Sequence, residues 1–530
     1  MNACLKLLLH NHDRGLFRQA LFGDLLNGGD YIDGIIFPFA NPAKYTVRRQ
    51  HKIPRAARIG CAALFIFSSW MRLMTKQSNK FYSLFFSVFF LFAGFGLFLN
   101  SAGVELSKMG VNNTAIGALN AAFFVGAVFS AIAAHRVVSG VGHIRGFSVF
   151  GAVFAMAALG HMMTDNLWAW GILRVVLGFC YYSLLMIVES WFAEQSAATA
   201  RARVLAFYNV VYYVAFTGGI ALLTLNLSSH DIFTLAAILV MAAMLPVGLT
   251  RMRGPNLPPR QRISLPRLFS ITPLALVASF ISGLLVNGFF TMSSVFLLSQ
   301  RFDVKQISFF LMVAMVGGFA VQLPVAKLSD KFGRRAAILG SALVSFTGAC
   351  IGLLLMLLGF EEIWLHYTVA GFFGFGLFTL YALSVARAND QLPNDMNTVE
   401  VSRGLLFSYG IGSLLAPLSL GFVMDYIGSF GFYAFFALFA FLLALMAWKQ
   451  KRVPVEQRSV HVNMPAAASQ VMADLDPRND SGVVRPFDEV VAQAYVNELN
   501  RGSGKDGSTL EDETSPQEPQ QPDEEHKESA

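Results

Sequence analysis

The chain has 530 residues, of which 55% are hydrophobic, 13% aromatic and 14% charged, against a usual charged share of about 25%. The formal net charge is +7 but unevenly spread: residues 1–80 hold 12 basic and 4 acidic side chains, 81–450 hold 20 and 13, and 451–530 hold 8 and 16. Charge this sparse over the middle segment excludes a surface bathed in water, which needs several-fold more. The expected class is an all-α polytopic membrane protein.

Twelve runs reach the roughly 20 apolar residues that a spanning helix needs. They fall near 82–104, 115–134, 147–163, 168–193, 204–226, 232–250, 273–298, 307–326, 337–358, 363–386, 402–423 and 430–448. An even count puts both ends of the chain on one side. Lys and Arg are retained on the cytoplasmic side, and one set of loops, with the flanks, carries 21 of them against 3 (Lys108, Arg301 and Lys305) in the opposite set. Both termini are therefore expected in the cytoplasm. The basic residues lie in short loops between apolar runs, so topology explains them and no nucleic-acid partner is expected. Cys4, Cys61, Cys180 and Cys350 lack paired spacing, which offers neither a disulfide framework nor a metal site. No metal and no cofactor are expected.

The segment 251–272 carries Pro255, Pro258, Pro259 and Pro266 and separates six runs from six. Each half carries traces of the other: Ile116 to Gly126 parallels Ile307 to Gly317 at an offset of 191, and Arg203 to Phe207 parallels Arg403 to Phe407 at an offset of 200. Repeated six-helix halves are a common plan of secondary transporters, which rock one bundle against another about a midplane site.

The loop between the eighth and ninth runs reads Ala326-Lys-Leu-Ser-Asp330-Lys331-Phe-Gly333-Arg334-Arg335. It resembles the signature G-x-L-x-D-R-x-G-R-R of the major facilitator superfamily, with Ala326 for the first glycine and Lys331 for an arginine. More narrowly, Arg174-x3-Gly178, Glu189-Ser-Trp191, Arg203-x4-Tyr208-x3-Tyr212-Tyr213 and Ser408-Tyr409-x2-Gly412-Ser-Leu-Leu415 resemble the YcaD-like branch. The resemblance covers about 81–450. It implies that fold, with twelve transmembrane helices in two pseudo-symmetric six-helix bundles (81–250 and 273–450). It also implies a cytoplasmic gate built from Asp330, Lys331, Gly333, Arg334 and Arg335, with Glu189, Arg136 and Arg203 as counterparts in the first half. The first-half loop, His135 to Arg145, keeps its basic residues and glycines but lacks the aspartate.

Ionisable groups inside a spanning helix are costly and usually face a cavity or a partner. Arg174 and Glu189 lie clearly within a run, fifteen residues and so roughly 22 Å apart on one helix, and need separate accounts. The resemblance aligns Arg174 with an arginine that handles protons or substrate; it can equally pair with helix-end carbonyls or Glu105. Glu189 has two readings, a protonatable coupling group or a gate latch, and its place near the cytoplasmic edge favours the latch. Asn100, Tyr181, Tyr212, Asn287, Tyr381 and Tyr409 complete a candidate cavity with amide and hydroxyl groups and aromatic walls. The fifth run reads Phe216-Thr-Gly-Gly-Ile220, without the Gly-Pro of drug antiporters, and no nucleotide-binding loop is present.

At the ends, Ile59 to Trp70 is apolar but too short to span, so translation is expected to begin at Met71 or Met74, the competing reading being that residues 1–80 are an amphipathic cytoplasmic leader. Residues 451–530 are acidic and rich in Pro, Ser and Gln, a composition expected to stay disordered. The expected function is secondary transport of a small solute across a bacterial inner membrane by alternating access, coupled to protons, in a functional monomer. An uncoupled facilitator, a transporter-like receptor and a membrane enzyme are the alternatives.

Overall fold

The computed structural model describes residues 81–479 except 226, 250–264, 361, 393–397, 455–457, 460 and 467. The leader and the stretch beyond 479 lie outside the described residues, as does Met71 or Met74 as a start. The chain divides into two compact units, 1–86 and 87–530. Of the first, only 81–86 are described, where they begin the first helix. All packing below lies within the second.

Among the described residues the regular structure is helical: α1 (Tyr82–Lys108), α2 (Asn113–Val141), α3 (His143–Gly160), α4 (Leu167–Gln195), α5 (Ala198–Leu222), α6 (Ser229–Gly248), the short α7 (Leu265–Ile271), α8 (Pro273–Ser299), α9 (Val304–Phe332), α10 (Arg334–Leu357), α11 (Ile363–Leu377), α12 (Leu380–Asn389), α13 (Thr398–Ile427) and α14 (Phe430–Lys449). Among the described residues twelve spans are long and apolar enough to cross a membrane, with α11 and α12 forming the tenth together. A helix is favoured there because lipid offers backbone groups no partners. Polar caps sit at the ends where the apolar runs begin. Asn112 accepts from the Ala115 amide ahead of α2, and Ser228 with Asp231, and Asp303 with Gln306, close capping boxes on α6 and α9.

The tenth span, expected as one run, is broken at Phe378 and Thr379. The Phe378 ring occupies the space a side chain at Gly318 would fill and stacks on Phe290, centroids 5.4 Å apart. Several helices also outrun their apolar cores: α13 extends from the expected 402–423 to Thr398–Ile427 and so includes Glu400 and Asp425.

The two halves repeat each other in detail. Gly142 (φ 86°) joins α2 to α3 and Gly333 (φ 92°) joins α9 to α10, 191 positions later. Both adopt a left-handed backbone that glycine alone enters cheaply. Within the first half α2 packs on α4 and α3 on α6; in the second, α9 packs on α11 and α10 on α14. Between the halves α2 lies against α13 and α5 against α9. The α2–α13 approach is backbone to backbone: a side chain on Gly117 would overlap the Pro417 carbonyl, and one on Gly421 the Asn113 carbonyl. Small residues are what let spanning helices meet this closely.

Gly117→Leu must push α2 off α13. We expect it to lower stability by about 1–3 kcal/mol, as overpacking does, read as a reduced melting temperature of the purified protein; an unchanged melt would show that the contact is not under compression.

Candidate functional site

At one end of the α2–α13 contact, Asp425 on α13 receives the start of α2. Its carboxylate accepts from the Asn113 amide at 3.1 Å, the Thr114 amide at 2.7 Å and the Thr114 hydroxyl at 2.6 Å. An acidic side chain on a helix N-terminus satisfies unpaired amides and meets the positive end of the dipole. This joins the halves at what we call the Asp425 end.

Further along the helices lies an aromatic and amide-rich layer. Asn287 on α8 donates to the Tyr409 hydroxyl at 3.0 Å and the Ser413 hydroxyl at 2.7 Å, and Tyr381 meets the Tyr409 ring edge-on at 5.3 Å. In the first half Tyr181 stacks on Phe95 at 3.9 Å, and Tyr212 meets the edge of Phe92 at 5.0 Å. Gln322 of α9 donates to the Tyr213 hydroxyl of α5 at 2.7 Å, tying the halves together. Asn100 donates back to its own helix at Gly96, while its carbonyl oxygen is buried with no partner. The expected cavity residues thus form two clusters, Asn287, Tyr381 and Tyr409 in the second half and Tyr181 and Tyr212 in the first.

Arg174 is fully buried in α4, its guanidinium 5.1 Å from the centre of the Phe98 ring, and none of its three nitrogens has a hydrogen-bond partner. The Glu105 pairing is not formed: Glu105 holds Lys108 at 2.9 Å and accepts from Ser229.

At the opposite end, which we call the Arg334 end, the second-half motif closes on itself. Arg334, buried, bonds Asp330 at 2.5 Å and the Ser329 hydroxyl at 2.9 Å, and its Nε lies 3.5 Å from Asp390. Arg335 caps α14 by donating to the carbonyls of Ala447 at 2.8 Å and Trp448 at 2.6 Å. Lys331 lies over the Phe332 ring.

The first-half counterpart differs from expectation. Arg136 and Arg203 are exposed and are not gathered around Glu189. Glu189 is wholly buried, and its carboxylate accepts from the Tyr208 hydroxyl at 2.6 Å and from the amide and hydroxyl of Ser469 at 2.8 and 2.5 Å. Ser469 belongs to the segment expected to be disordered. That expectation is corrected for the described part of 451–479: the segment has no core of its own, but it borrows one from the helices. Met464, Ala468, Met472 and Leu475 are buried, the Asn463 carbonyl accepts from Asn209 at 2.8 Å, and Arg403 holds both oxygens of Asp474 at 2.9 Å. Burial raises the Asp474 carboxyl against the pull of Arg403, and burial likewise raises Asp390 against Arg334. Burial, with Arg334 and Arg478 nearby, lowers the His461 imidazole to about 3, so the ring is neutral in place.

Asp425, Asp390, Ser469 and Asp474 escaped the sequence reading. One signal was available for the last two: no charged residue stands between Arg458 and Asp474, a gap unlike the rest of the acidic tail.

Twelve spans in two repeated halves, meeting along α2–α13 and α5–α9, define a membrane transporter fold. The Major Facilitator Superfamily matches residues 84–400, more than half of the chain, and the chain belongs to that family. The Uncharacterized MFS-type transporter YcaD of Escherichia fergusonii is 24% identical over 317 residues, 59% of this chain and 80% of the relative. The protein of the same name from Salmonella arizonae is 26% identical over 322 residues, 58% and 80% of the two chains. These relatives bear out the YcaD-like branch. Among solved structures, the nucleoside transporter NupG has the same fold at a TM-score of 0.57 and 15% identity, over 70% of this chain and 100% of its own. An auto inhibited POT family peptide transporter aligns at 0.54 and 13% identity, over 70% and 96%.

Asp425→Ala removes all three bonds to the start of α2. A reporter Asn120→Cys, buried on α2, is expected to react several-fold faster with a water-soluble maleimide in that background; equal rates would mean that the glycine contact alone keeps this end shut.

Proposed function

We propose that the protein is a secondary active transporter that moves a small solute across the bacterial inner membrane by alternating access, coupled to protons, as a monomer without a cofactor. In this reading 81–250 and 273–450 are the rocking bundles and 251–272 the cytoplasmic loop between them. The Arg334 end and both termini face the cytoplasm, in keeping with the excess of Lys and Arg in the loops on that side.

The observation that carries the reading is the unequal separation of the halves. At the Asp425 end α2 and α13 touch through backbone, whereas at the Arg334 end the helices admit Ser459, Ser469 and Asp474 of the tail between them. One face closed and the other parted is the geometry that alternating access requires. Reading the chain as a transporter rather than an enzyme rests also on the names of its relatives. Arg174, buried with three unanswered nitrogens, suits an anionic group on the solute, since guanidinium donors are built for such partners. Glu189, a buried carboxylate bonded only by neutral donors among the described residues, is the group best placed to exchange a proton as those donors come and go.

The test begins with a thermal-shift screen of anionic and neutral metabolites on the purified protein, followed by uptake of the hit into proteoliposomes with and without a pH gradient. Arg174→Ala should weaken ligand affinity by about tenfold or more, the worth of a hydrogen bond to a charged group; unchanged affinity removes Arg174 from the site. Glu189→Gln should abolish the dependence on the gradient. Uptake by the parent protein that ignores the gradient would replace coupled transport with facilitation.

A further inference from the structure

We propose that the described residues between 458 and 478 belong to a tethered plug that occupies the Arg334 end between the two halves and must leave before a solute can pass there. Wall residues of both halves hold it. On the first half Asn209 of α5 donates to the Asn463 carbonyl, and Glu189 of α4 accepts from the amide and hydroxyl of Ser469. On the second, Arg334 donates to the Ser459 carbonyl at 2.5 Å, Asp390 accepts from the Ser459 amide and hydroxyl at 2.8 Å each, and Arg403 grips Asp474. Buried wall groups are thereby satisfied by the tail, and polar groups left bare in a dry interior are costly.

The chemistry of the segment suits the role. Between Arg458 and Asp474 it carries no charge, so it enters a low-dielectric space at little cost, and its two ends are fixed by charge-assisted bonds. Arg458 also reaches the Asp330 carbonyl at 3.1 Å, which fastens the plug to the motif loop itself. Because the bonds reach both halves, bringing the halves together at this end requires breaking them. The plug is a property of the full chain, and its consequence for flux rests on the transport reading above.

The test uses the full-length protein with its four cysteines replaced by serine and a reporter Ala468→Cys, a site buried in the docked tail. A water-soluble maleimide should label the reporter slowly in the parent. Asp474→Arg, which sets two cations against each other, should accelerate labelling at least fivefold, and the swap Arg403→Asp with Asp474→Arg should restore the slow rate. Ser459→Asp, facing Asp390, is the second releasing variant should the first not fold. Parent labelling as fast as in the denatured chain, or rates within twofold across parent and both releasing variants, would overturn the plug. With the solute from the screen in hand, a released variant should take it up several-fold faster than the parent; fast labelling with unchanged uptake would overturn the inhibition while leaving transport itself intact.

Discussion

A carboxylate removed from water has to be given donors, and two of the three that reach Glu189 come from a residue 280 positions away. Losing such a partner costs about 1–3 kcal/mol, more when the stranded group is charged. Much else depends on this bond. Ser469 can reach Glu189 only if the segment threads between the halves, and the segment fits only if the helices stand apart at the Arg334 end. At the other end α2 and α13 meet backbone to backbone.

The repeat is faithful in backbone and unfaithful in chemistry. Gly142 and Gly333 turn the chain identically, with ψ of 162° and 153°. At the same offset, however, Asp330 and Arg334 correspond to Ser139 and His143. Ser139 only bonds back to the Arg136 carbonyl of its own helix. The ion pair in the second half therefore has no twin, and Arg334 is free to extend its other donors to Asp390 and the tail. The anchoring of the tail on the second half follows from that asymmetry.

The spans, their number and the motif loop were legible because each is written locally, as about 20 apolar residues or as a glycine followed by two arginines. The break after Leu377 was not legible, because it depends on how the Phe378 ring sits against Gly318. Arg174 and Glu189 stood out as charges in apolar runs, yet their neighbours could not be read: the partner of Glu189 lies far along the chain, and Thr114 and Asp425 are 311 positions apart. The tail misled for a physical reason. Its average composition describes a chain that cannot fold alone, whereas its uncharged stretch needs only a place to be received.

The tail follows α14 directly, with Lys449 ending that helix and Arg458 already on the Asp330 loop. A leash this short confers an effective concentration in the millimolar range. Each molecule thus brings its own stopper in fixed proportion, and raising or lowering expression leaves the blocked fraction untouched. A rival held at micromolar levels competes poorly for that place unless it grips far more tightly, so adjustment has to come from something that acts on the leash or its moorings.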